Sequence, residues 1–191
     1  MNNWLFTLVP KKIFMKIFNV YFLSTLAMSA LFFSCTGNLK KQYINSQNTI
    51  MNKELEITKT NAKFYNALNI LFTGNSDAIL NVWSHSADIS YLGPWGERIV
   101  GWDSIKAEFI KVGSMKIGGN IESKNLTIGG GSDMAYTVCD EVGENKDSTG
   151  QSFFVSHRAT NIFRLEQGEW KLVHHHTDIS PQLQKAYTVN K

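Results

Sequence analysis

The stretch Trp170-Lys171-Leu172-Val173-His174-His175-His176-Thr177-Asp178 decides the fold. It is β-prone, and it follows Gln167-Gly168, a turn signal that closes another long β-prone run, Ser152 to Leu165. Successive side chains of a strand point to opposite faces. Trp170, Leu172, His174, His176 and Asp178 therefore share one face, and Lys171, Val173, His175 and Thr177 share the other. The face with Trp170 and Leu172 is expected to be the inner one, which sends His174 and His176 inward and leaves His175 outside. On the preceding run the inner set is His157, Ala159, Asn161, Phe163 and Leu165. Arg158, Thr160, Ile162 and Arg164 point oppositely, toward a solvated or dimer-forming surface.

Two further strands are expected upstream, Ile121 to Ile128 and Met134 to Val142, because apolar spacing falls toward two and glycines recur between the segments. Before them the spacing is helical. Ile57, Phe64, Leu68, Leu71 and Phe72 define a first helix between Glu54 and Phe72, stopped at Gly74. Ser76 is placed to cap a second helix carrying Ile79, Leu80 and Trp83 and ending near His85. Ala87 to Leu92 and Arg98 to Val100 flank Gly93-Pro94-Trp95-Gly96, a hairpin signal. Asp103 then stands at an N-cap position ahead of Ile105, Phe109 and Val112, with Gly113 closing a third helix. Three helices followed by a strand meander make an α+β domain, its helices covering one face of a curved antiparallel sheet.

Several segments taken in this order resemble the SnoaL-like branch of the nuclear transport factor 2-like superfamily. They are Phe64-Tyr65-Asn66-Ala67-Leu68, Trp83-Ser84-His85, Tyr91-Leu92-Gly93-Pro94-Trp95-Gly96, Gly101-Trp102, Arg158 to Arg164 and Trp170 to Asp178. The resemblance covers residues 54–181. It implies a cone-shaped cavity between helices and concave sheet, and frequently a homodimer. The superfamily includes ketosteroid isomerases, polyketide cyclases, dehydratases and kinase association domains, so the fold leaves the activity open.

The N-terminal third reads differently. Lys11, Lys12 and Lys16 precede an apolar run from Ile17 to Ser34, followed by Cys35. That is the layout of a secretory signal. Leu31-Phe32-Phe33-Ser34-Cys35 resembles the end of a bacterial lipoprotein signal, in which the cysteine is acylated, although Phe32 and Phe33 depart from the usual small residues. Met15-Lys16 also makes a conventional start for such a signal. The alternative is an uncleaved membrane anchor. Residues 1–35 are thus expected to be a signal or lipoprotein segment. Residues 36–53, rich in Asn, Gln, Lys, Ser and Thr, are a flexible tether, 54–181 the folded domain and 182–191 a C-terminal tail. The expected location is extracytoplasmic, on a membrane, at the outer membrane or the periplasmic face.

Composition agrees with one core. At 191 residues, 43% hydrophobic and 18% charged, the chain suits one domain plus a targeting segment and too few residues for two. The net charge of +3 owes much to Lys11, Lys12, Lys16, Lys40, Lys41 and Lys53, all ahead of the domain, so nucleic acid is not an expected partner. Cys35 is assigned to lipidation, leaving Cys139 as a free, half-buried thiol.

The candidate site follows from the parity argument. His174 or His176 could act as a base oriented by Asp88 or Asp178, with Tyr91 or Asn161 as donor to an oxyanion. Each also has a structural explanation: cavity-lining histidines held by hydrogen bonds, Asp88 anchoring a loop, Asp178 holding the chain's exit toward Pro181. Candidate ligand-binding residues are Trp83, Tyr91, Trp95, Trp102, His157, Asn161 and Phe163. His174 and His176 lack a third ligand at a diagnostic spacing, even counting His157 or His85, so neither metal nor cofactor is expected. The preferred function is binding of a small, partly apolar molecule. The alternatives are an isomerase, cyclase or hydrolase using a His/Asp proton shuttle, and a homodimeric interaction scaffold.

Overall fold

The computed structural model describes the backbone of residues 11–147 and 149–187, with side chains from 39 to 147 and from 149 to 185. The chain separates into two units, Met1–Met51 and Asn52–Lys191. Helix α1 runs Lys11–Leu71 and contributes to both. The stretch 36–53, expected as a flexible tether, is helical here, and its side chains from Leu39 to Asn52 are exposed. A helix with no apolar stripe needs only its own backbone hydrogen bonds, which is why composition did not reveal it. The side chains of the expected targeting stretch 17–34 and of Cys35 lie outside the described residues. Among the described residues no helix is long and apolar enough to cross a membrane.

The second unit carries the core. At the end of α1, Ile57, Asn61, Phe64, Tyr65, Leu71 and Phe72 are buried, an i, i+4, i+7, i+8 stripe that lays one helix face on the sheet. Helix α2 (Asp77–Val82) is shorter than expected. Ser76 makes no side-chain cap; Asn75 Oδ1 accepts the Asp77 N–H at 2.9 Å instead. Strands β1 (Ser90–Leu92) and β2 (Ile99–Val100) form the expected antiparallel hairpin. Helix α3 (Trp102–Met115) starts from Gly101 at φ 84°, a conformation open to glycine, so Asp103 sits in the first turn rather than at the cap.

Strands β3 (Asn120–Gly130), β4 (Met134–Lys146), β5 (Ser152–Glu166) and β6 (Glu169–Thr177) form the antiparallel meander. With the hairpin they make one six-stranded sheet, order β2-β1-β6-β5-β4-β3, in which β1 lies parallel to β6. Helix α4 (Pro181–Tyr187) takes up the first part of the expected C-terminal tail, because Leu183 has a core to enter and is buried, and residues 188–191 lie outside the described residues.

The parity of β6 needs correction. Thr177 pairs with Ala159, His175 with Asn161 and His174 with Ile162, but Leu172 pairs with Phe163. Val173 is therefore the extra residue of a β-bulge, and a one-residue insertion exchanges the faces of everything beyond it. Leu172 faces inward as expected. His175 and Thr177 are buried, whereas His174 is half-buried and His176 exposed on the outer side. On β5 the inner set His157, Ala159, Asn161 and Phe163 is buried as expected; Leu165, past the core's edge, is 39% exposed.

Phe163 is fully buried opposite Leu172, next to the bulge. Phe163→Ala should lower unfolding free energy by about 3–5 kcal/mol in chemical denaturation. Phe154→Ala, at a position 68% exposed on the same strand, should stay within about 0.5 kcal/mol of the unaltered chain.

Candidate functional site

A pocket of about 480 Å³, counted out to its open side, lies between the helices and the inner face of the sheet. Its apolar wall comes from α1 (Leu68, Leu71) and Phe72 just after it, α3 (Phe109, Val112), the hairpin (Tyr91, Pro94, Trp95) and Leu183 of α4. Its polar end is Glu141, Asn145, His157 and His175. Register assembles that end. Glu141 on β4 is paired with His157 on β5, and Thr137 on β4 with Asn161 on β5, itself paired with His175 on β6. Ala159 stands in the row between, opposite Cys139 and Thr177, and brings only a methyl group where its neighbours bring polar reach.

Glu141 is 4% exposed and accepts two hydroxyl hydrogen bonds, Tyr65 Oη to Oε1 at 3.0 Å and Thr177 Oγ1 to Oε2 at 3.1 Å. Two imidazoles flank it at ion-pair distance, His157 Nδ1 at 3.8 Å from Oε2 and His175 Nε2 at 3.7 Å from Oε1. His175 Nδ1 lies 2.6 Å from Asn161 Oδ1, an atom that can only accept, so the proton of the neutral ring is on Nδ1 and Nε2 holds a lone pair. Asn161 is fixed in turn, its Nδ2 donating to Asn61 Oδ1 at 2.9 Å, which also takes the Thr137 hydroxyl at 2.9 Å. Asn61 Nδ2 donates to Ser123 Oγ at 3.0 Å. Phe64 and Tyr91 pack on the His175 ring, with centroids 5.1 Å and 5.7 Å away.

Burial raises the Glu141 carboxyl, but His157, the charge of His175 and the Tyr65 hydroxyl outweigh it and hold the carboxyl below the ordinary 4.5. Burial pushes His175 below its ordinary 6.5 against the pull of Glu141. Near neutrality the pocket therefore holds a carboxylate and an uncharged His175. Burial, reinforced by Glu141, keeps the Tyr65 phenol far above its usual range and so permanently a donor. Cys139 is free and buried, its thiol raised to about 11 chiefly by burial, which keeps it protonated and unreactive.

Of the residues expected from sequence, Tyr91, Trp95 and His157 line the pocket. Asn161 supports it from behind. Trp83 and Phe163 are core residues, and Trp102 stacks on His85 at 3.8 Å, away from it. His174 faces Ser90 Oγ at 2.8 Å and His176 is exposed, both turned outward by the Val173 bulge. Asp88 is ion-paired with Arg164 at 2.8 Å and Asp178 with Arg158 at 2.8 Å, which removes both carboxylates from the pocket and lowers them, Asp178 to about 2. Among the described residues no group of three or more His, Cys, Asp or Glu is placed to hold a metal ion. Sequence reasoning missed Glu141, Tyr65, Thr177 and His175 as members of one cluster. The available signal was Glu141 on the inner alternation of β4, with Ala135, Thr137 and Cys139: a carboxylate on a strand's apolar face requires partners.

The arrangement defines an α+β cone with a buried acid–imidazole centre. The sequence profile of the SnoaL-like domain matches residues 57–180, and the chain belongs to that family. Solved structures share the fold. A proposed dehydratase of the NTF2-like family from Streptomyces avermitilis is 18% identical at TM-score 0.59, covering 68% of this chain and 97% of its own. A proposed aromatic ring hydroxylase from Novosphingobium aromaticivorans is 20% identical at 0.59, covering 71% and 97%. A proposed calcium/calmodulin-dependent protein kinase II association domain from Xanthomonas campestris is 21% identical at 0.50, covering 66% and 84%. No protein with a curated description matches the chain.

Both groups in the centre have folded pKa values below their unfolded ones, so the unfolded chain binds more protons on acidification. Their stabilisation is complete above the unfolded values and is lost as pH falls through the folded ones. Stability should begin to drop as pH falls through 6.5, the ordinary value for His175, and drop again below 4.5, the value for Glu141. Urea midpoints measured from pH 7.5 to 4 check this, and His175→Gln should shrink the first step to the part contributed by His174, which burial also lowers from 6.5.

Proposed function

We propose that the domain binds a small, partly apolar molecule in the cone and moves a proton on it. His175 Nε2 is the proton acceptor and Glu141 the charge that stabilises the imidazolium formed. The observation that carries this reading is one ionised carboxylate between two imidazoles at the end of an otherwise apolar cavity. Burying a charge costs several kcal/mol that an apolar residue would not incur, and such centres concentrate at sites that handle protons. Asn161 positions the base, and Tyr65 and Thr177 hold the carboxylate in reach. The proposed dehydratase among the structures of like fold fits a proton-transfer reading. The buried polar cluster also argues against a plain interaction scaffold, whose interior would be cheaper to fill with aliphatic side chains. Mass spectrometry of molecules co-purified with the full chain tests the reading. A small ring-containing molecule should accompany the unaltered protein and be lost from His175→Ala, while Asp178→Asn, outside the pocket, should retain it. Retention by His175→Ala at unchanged occupancy would contradict it.

We also propose that the chain is exported, acylated at Cys35 and assembled as a homodimer. The signal-like stretch 17–34 ahead of Cys35 supports export and a lipid anchor. Met134, Tyr136 and Val138, exposed on the outer face of β4, support dimerisation through the sheet. Metabolic palmitate labelling should mark the protein and be abolished by Cys35→Ala. Light scattering should give twice the chain mass, and Tyr136→Lys should return it to monomer.

A further inference from the structure

The donors and acceptors at the polar end of the pocket limit what can bind there, an argument that rests on the pocket reading above and narrows it. Glu141 and His175 have no proton left to offer the cavity. His175 commits Nδ1–H to Asn161 at 2.6 Å, and its Nε2 lone pair is the atom turned toward Glu141. His157 directs Nδ1 at Glu141 from 3.8 Å. Glu141 itself has no proton to give, and one N–H of the Asn145 amide goes to the Gly118 carbonyl at 2.9 Å. Tyr91 Oη can both give and take, but it lies over Gly93, on the hairpin side. Among the described residues no lysine or arginine lines the cavity. At Glu141 and His175 a ligand oxygen that could only accept would meet lone pairs, and an anion there would meet a carboxylate with no cation beside it. The remaining wall is aromatic and aliphatic, suited to a ring.

We infer that the pocket takes an uncharged ring compound presenting a hydroxyl group to Glu141, His157 and His175, and rejects carboxylates and phosphates. The hydroxyl donates into the lone pairs while the ring packs between Trp95, Tyr91 and Phe109. Its proton is then already aimed at the proposed base.

Three probes of like size separate the possibilities: phenol donates, anisole only accepts, and benzoate is an anion. Ligand-observed saturation-transfer NMR on the full chain at pH 7.5 should show phenol binding. Anisole should be weaker by about tenfold, the worth of one donated hydrogen bond to a charged group, and benzoate should give no transfer. In Glu141→Gln, whose amide supplies N–H donors and no charge, the preference for phenol over benzoate should collapse. Anisole or benzoate binding as well as phenol would overturn the donor rule while leaving a ring-binding pocket in place. Absence of binding by all three would overturn the rule together with the pocket reading. An undiminished preference in a folded Glu141→Gln would overturn the assignment to this carboxylate. The probe series on the unaltered chain decides the matter even where that variant fails to fold.

Discussion

The unpaired Val173 is the constraint on which the site depends. Without the bulge, β6 would present His174 and His176 to the helices and leave His175 on the outer surface. With it, one imidazole rather than two enters the cone, and it arrives level with Asn161 on β5 and within reach of Glu141 on β4. Bulges bend a strand and re-aim side chains next to functional sites. Here the re-aimed group is the candidate base, and the displaced pair is left for the outer face, where His174 meets Ser90 and the two rings lie 6.3 Å apart.

A buried carboxylate makes the interior demanding. Glu141 remains ionised because two hydroxyls donate to it and two imidazoles stand by, and each of those groups is held by another element: Tyr65 by α1, Thr177 and His175 by β6, His157 by β5. The helix and three strands are tied through one charge. Deleting a single partner leaves the rest under-satisfied, so these residues act as a unit. The second tier, Asn61 with Thr137 and Ser123, anchors Asn161 and through it the tautomer of His175. Packing, electrostatics and candidate chemistry therefore share one set of side chains.

Much of the architecture was legible in the sequence. Helical spacing in α1 and α3, the Gly93-Pro94-Trp95-Gly96 turn and period-two alternation along β4 and β5 are local patterns, and they gave the order of elements and the α+β class. The inner face of β5 was legible for the same reason. The site was only partly so. A bulge leaves no mark in residue spacing, because it depends on which residue of the partner strand is opposite, and that is a property of the pair. Asp88 and Asp178 could be read from sequence either as orienting a base or as anchoring the chain, because Arg164 and Arg158, which hold them, are distant along the chain. Helix caps differed likewise: Ser76 stands at the start of α2 but Asn75 supplies the capping oxygen, and Gly101 holds the position expected of Asp103.

The central claim is that the bulge buries His175 as a neutral ring protonated on Nδ1, facing an ionised Glu141. Long-range proton–nitrogen NMR of the imidazoles reads both the tautomer and the titration of each histidine. The account predicts one ring in the Nδ1–H form that stays neutral below pH 6.5 and loses that signature in His175→Gln. A His175 ring in the Nε2–H form, charging at the ordinary 6.5, would contradict it.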